Sequence, residues 1–124
     1  MLSHLRQHIT TTLERARSAT LATSGPAGLQ AQVVPCAAKG VELCLLLPRT
    51  SEHLLNLEHD PAVVVATAEW QVSGCARVAT AAECPARLLT APDAAWSEVV
   101  IVHPTRVSIA QRVGWGAAET IDLE

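Results

Sequence analysis

The 124-residue chain reads as a mainly β protein, an antiparallel barrel of six or seven strands with peripheral helices. Three observations predict this. Val-rich segments of strand length recur between turn residues. Most connections between them are too short for the crossover helices of a parallel sheet. A small antiparallel sheet best removes its exposed edges by closing on itself. Composition agrees: Phe and Tyr are absent and only three Trp occur, so Val, Leu, Ile and Ala must build the core. With 49% apolar and 17% charged residues, disorder is excluded and one domain is expected. Its parts are a leading helix (1–18), the barrel (19–112) and a tail (113–124).

The elements follow in order. Leu2, Leu5, Ile9, Leu13 and Ala16 recur at three- and four-residue steps and paint one apolar face on the first helix, expected to cover an open barrel end. ATLAT (19–23) is a short strand, and SGPAG (24–28) is turn chemistry. Strands are expected over 29–38 and 41–47 around a Lys39-Gly40 turn. A short amphipathic helix follows and ends at Asp60-Pro61, because the residue before proline is pushed out of the helical region. Two further strands are expected over 62–68 and 71–81. Gly74 inside the second suggests a bulge or a close backbone approach. Residues 83–95 are weakly helical, interrupted by Pro85 and Pro92. Residues 98–103 and 106–110 form two last strands, or one strand broken at Pro104. The tail, GWGAAETIDLE, stays ambiguous: mobile, or a dimer contact.

Several functions are excluded. A net charge of −3 argues against a nucleic-acid binder, which would show a basic surface. No apolar run is long enough to cross a bilayer. The first residues carry scattered charges and no cleavage site, so a cytoplasmic protein is expected. Cys36, Cys44, Cys75 and Cys84 form no CxxC pair and read as reduced, partly buried thiols. His4 and His8 sit one turn apart with no third ligand, so no metal site is expected. Gly25 and Gly28 are no phosphate loop, because that turn joins two strands and opens no helix. Ser73-Gly74-Cys75 lies mid-strand and is not a hydrolase nucleophile elbow. His59 and His103 have no triad pattern around them. With no catalytic constellation in the chain, chemistry would have to come from a cofactor.

One stretch remains, LLLPRTSEHLLNLEHDP (45–61). Thr50 or Ser51 can cap a helix whose first turn offers free N–H groups and partial positive charge, with Arg49 just outside. That arrangement suits a phosphate. On these residues alone an ordinary capped turn, with Arg49 paired to Glu52, is the stronger reading.

The order of segments adds a resemblance. A helix, ATLAT, a Gly-containing turn, QAQVVPC, ELCLLLPRTSEHLLNLEHDPAVVV, WQVSGCARV and a late IVHPTRV resemble the pyridoxamine 5′-phosphate oxidase-like family. Its fold is the FMN-binding split barrel. The strongest pieces are R-T-S-x-x-x-x-N-L-x-x-D-P at 49–61 and V-x-G-x-A-x-V at 72–78.

The resemblance implies a homodimer with FMN at the subunit interface and a flavin-dependent oxidoreductase acting on a small-molecule substrate. It places Arg49, Thr50, Ser51 and His53 on the flavin phosphate and Gln32, Val33, Val34 and Pro35 along the ring; no catalytic acid or base follows. One departure stands out: relatives carry basic residues where this chain has Glu52 and His53. The alternatives are a cofactor-free binding or structural dimer, or the same fold holding the deazaflavin F420 or haem. Trp70 and Trp115 either flank a flat ring at a cleft mouth or fill the barrel end and dimer interface.

Overall fold

The computed structural model describes the backbone of residues 2–111 and 114–123 and the side chains of residues 4–110 and 120–123. Helix α1 (Leu2–Glu14) leads into β1 (Ser18–Thr23), β2 (Gln30–Lys39) and β3 (Glu42–Pro48). Helix α2 (Glu52–His59) precedes β4 (Ala62–Ala66) and β5 (Trp70–Ala79). A short helix, α3 (Ala86–Leu89), lies before β6 (Ser97–Gln111) and β7 (Gly114–Asp122). The sheet order is β3-β2-β1-β4-β5-β6-β7, all neighbours antiparallel, and β3 also pairs with β6. Six strands therefore close a barrel and β7 adds to its rim. The expected fold class is the one observed. The short connections dictate it, since each hands the chain to an antiparallel neighbour.

The barrel is filled by alternate residues. Leu21, Val34, Leu43, Leu45, Leu47, Val65, Val72, Val100 and Val102 line one core, which Ile9 and Leu13 of α1 complete from outside the sheet. Trp70, 1% exposed, belongs to this core, so it fills the barrel and does not flank a cleft. Trp115 lies outside the described side chains. The run Leu43–Leu47 is buried on both faces, because Cys44 and Leu46 turn outward into a second cluster with Leu88 of α3, Val99 and Ile101. That double burial explains why β3 reads as an unbroken apolar run. Each fully buried leucine contributes about 2 kcal/mol.

Residues 98–110 form one continuous strand, not two. The ladder shifts at Ser73/Gly74: Ser73 faces Arg106 and Gly74 faces Pro104, leaving Thr105 as the extra residue of a bulge. Proline needs no ladder N–H at such a point, and Thr105 Oγ1 donates to the Ser73 carbonyl at 3.2 Å. The stretch expected as a tail contains β7, registered on β6 with Arg106 opposite Asp122. Residues 83–95 resolve into α3 between two single 3-10 turns. No helix among the described residues is long and apolar enough to cross a membrane.

Candidate functional site

Strand β2 changes partners half-way along. Residues Gln30 to Pro35 pair with β1, whereas Cys36 to Lys39 pair with β3. Extending the Cys36–Leu45 register sets Val33 level with Pro48, yet no β2–β3 pair is formed there among the described residues. The barrel is thus split between the first half of β2 and the end of β3, and the chain enters α2 beside that opening. Ala31, Val33 and Pro35 are exposed and face outward, Val33 at 70%. Outward residues across the neighbouring strands are small: Ala31 faces Ala22, Ala22 faces Val64, and Val64 faces Ser73. A flat apolar shelf results.

Two grooves flank this shelf. One of about 460 Å³ is lined by Leu29, Ala22, Val64, Ser73 and Cys75, with Asp60 as its charged member. The other, about 340 Å³, is lined by Pro35, Leu88 and Ala91 together with Arg17 and Arg87. The exposed half of β2 lies between an acidic and a basic recess.

The expected ring residues divide by exposure. Gln32, Val33 and Pro35 are exposed, but Val34 is 4% exposed and packs in the barrel. The expected phosphate residues divide as well. Ser51 is the N-cap, its Oγ accepting from the His53 N–H at 3.2 Å, and the Leu54 N–H donates to the Ser51 carbonyl at 3.1 Å. Thr50 is exposed. Arg49 pairs with Glu98 of β6 at 3.8 Å, not with Glu52, and its N–H donates to the Trp96 carbonyl at 3.0 Å. Asp60 ends the helix in an extended conformation, as Pro61 requires.

His53 points inward. It is 1% exposed and its Nδ1 lies 2.7 Å from Thr23 Oγ1. Asn56, fully buried, sits one turn on: its Nδ2 donates to Thr23 Oγ1 at 3.0 Å and to the Gly28 carbonyl at 2.9 Å, while its Oδ1 accepts from the Ala27 N–H at 2.9 Å. This polar knot ties α2 to the 24–28 turn. Gly25 makes room for it, since a Cβ there would fall 2.8 Å from Asn56 Oδ1 and 3.0 Å from its Cα. Thr23 Oγ1 accepts from Asn56, so its one proton is free to point at His53 Nδ1. Burial favours the neutral imidazole, whose Nε2 is a buried atom with no partner among the described residues. Sequence reasoning missed Thr23 and Asn56. The available signal was that His53 and Asn56, two polar residues three apart, occupy the inward face of α2.

Burial lowers the pKa of His53. The unfolded imidazole takes up its proton near pH 6.5, before the folded one does. Stability therefore falls as pH drops below about 6.5 and levels off beneath the folded value. Unfolding free energies of wild type and His53→Gln, measured between about pH 7.5 and 5.5, are expected to diverge, with the variant losing less on acidification. Parallel curves would contradict the buried neutral assignment.

The buried cysteines are held as thiols. Burial pushes Cys36 and Cys44 up to about 11, and all four are free, with Cys75 exposed. No group of three or more His, Cys, Asp or Glu that could hold a metal ion occurs among the described residues.

No family model matches the chain, and no curated protein does. Solved structures do. General Stress Protein 26 from Bacillus anthracis superposes with a TM-score of 0.73 at 17% identity, over 97% of this chain and 99% of that one. A pyridoxamine 5′-phosphate oxidase-related, FMN binding protein from Nostoc punctiforme gives 0.62 at 10% identity, over 99% and 95%. A heme binding protein from Mycobacterium smegmatis gives 0.68 at 21% identity; the match covers 94% of this chain but 57% of that longer one. The chain has the split-barrel fold of pyridoxamine 5′-phosphate oxidase-related proteins.

Proposed function

We propose that the chain is a flavin-binding split barrel that presents an isoalloxazine ring to a small-molecule substrate for electron transfer. A second copy would cover the shelf. The observation that carries this reading is the outward row Ala31, Val33 and Pro35 beside the split, an exposed apolar surface against which a planar ring could pack. Two fold neighbours described as FMN binding and heme binding support a planar cofactor on such a barrel. The protein would contribute position and water exclusion, and the ring the redox chemistry.

On this reading the ring lies on the shelf, and residues 49–53 give a phosphate less support than the resemblance implies. The N–H groups of His53 and Leu54 already have partners, the imidazole faces inward, and one cation, Arg49, stands against the carboxylates of Glu52 and Glu98. The exposed Thr50 hydroxyl makes no hydrogen bond among the described residues. The reading is tested by titrating riboflavin and following quenching of its fluorescence. Val33→Asp puts a carboxylate under the ring and is expected to weaken binding at least about tenfold. At this exposed position it costs the fold no more than about 1 kcal/mol. Equal affinities would remove the shelf from the ligand site.

A further inference from the structure

We infer that Arg17 and Arg87 form an anion-binding subsite at the Pro35 end of the β2 shelf. Ion pairing across the surface points to it. Arg15 pairs with Glu69, Arg49 with Glu98, Arg77 with Glu83 and Arg106 with Asp122. Arg6, Arg17, Lys39 and Arg87 have no carboxylate within ion-pair distance among the described residues, and of these Arg17 and Arg87 line the same groove. Two like charges brought to one recess of about 340 Å³ without a counter-ion repel each other. An anion between them reverses that sign, and guanidinium groups bind phosphate or carboxylate in bidentate fashion.

Both arginines are held in place by their backbones. The Cys36 N–H donates to the Arg17 carbonyl at 3.0 Å, which fastens the start of β1 to β2. Arg87 precedes Leu88, whose buried side chain anchors α3 in the second core cluster. Pro35 joins the two features, since it ends the exposed apolar row and also lines the basic groove. A ligand lying along the shelf therefore meets apolar surface first and positive charge at its end. The other flank carries Asp60, so orientation is set by charge. The anion belongs either to the tail of the flavin, an assignment that rests on the function proposed above, or to a second, phosphate- or carboxylate-bearing ligand.

The test compares wild type, the double variant Arg17→Gln/Arg87→Gln and Arg49→Gln. Riboflavin and FMN differ only in the phosphate. If the tail is the source, FMN binds about tenfold more tightly than riboflavin, and the double variant closes that gap while Arg49→Gln does not. If a second ligand is the source, the flavins bind equally, but inorganic phosphate raises the melting temperature of wild type and not of the double variant, against sodium chloride of equal ionic strength. Closure of the gap by Arg49→Gln instead overturns the inference. So does phosphate that acts alike on both proteins when no gap exists. Should neither flavin bind, the proposed function falls, and the phosphate measurement still decides the subsite.

Discussion

Gly74→Ala is expected to destabilise the protein by about 3 kcal/mol, the largest loss from adding a single methyl group. A Cβ at residue 74 would clash with the His103 carbonyl oxygen and stand 2.9 Å from the Pro104 Cα. Both are backbone atoms of the facing strand, so no side chain can swing aside. The ladder would have to open at the bulge where β5 passes Pro104, next to the strand pair that carries Trp70 and Val72 into the core. With a total stability of roughly 5–15 kcal/mol for a domain of this kind, the variant should unfold at a much lower urea concentration. A midpoint within about 1 kcal/mol of wild type would mean that the bulge yields freely and that Gly74 is not needed there.

Asn56→Ala is expected to cost about 2–4 kcal/mol, because it strands three groups at once. The Ala27 N–H, the Gly28 carbonyl and Thr23 Oγ1 all lose a partner. Asn56→Asp separates the contributions. It keeps an acceptor for Ala27 but loses both donors and buries a carboxylate facing the Gly28 carbonyl, so it should be at least as damaging at neutral pH. Protonation restores one donor, and the Asp variant should recover part of its deficit as pH falls through the carboxyl range. Chemical unfolding of the three proteins at two pH values checks both expectations. If alanine proves nearly neutral, water serves the 24–28 turn as well as Asn56 does, and the knot has no structural weight.

These two residues mark what was legible in the chain. Strands announced by apolar runs and bounded by Gly or Pro fall within about two residues of their expected limits, because each such signal is local. The Ser51 cap and the Asp60-Pro61 stop are local too. The bulge at Gly74 was readable as a close approach, although its partner, Pro104, was not. Proline between two apolar segments looks the same whether it breaks a strand or sits in a bulge. β7 was missed because GWGAAETID has no Val and a single Ile, Ile121; it is held by registry on β6.

The candidate site was legible only in part. Strand parity separates exposed Val33 from buried Val34, and an alternation argument could have made that distinction. The partner that His53 meets could not have been foreseen, since Thr23 lies 30 residues away. Nor could the pairing of Arg49 with Glu98 across the β3–β6 seam, or the meeting of Arg17 with Arg87. Charges far apart in sequence acquire neighbours only when the barrel closes.

The shelf at the split is the claim on which the functional account rests, and amide-resolved NMR during a riboflavin titration tests it most directly. The predicted result is a set of saturable shifts centred on Ala31, Gln32, Val33 and Val34, fading toward the interior strands. Shifts confined to other surfaces, or a spectrum unmoved by excess riboflavin, would contradict it.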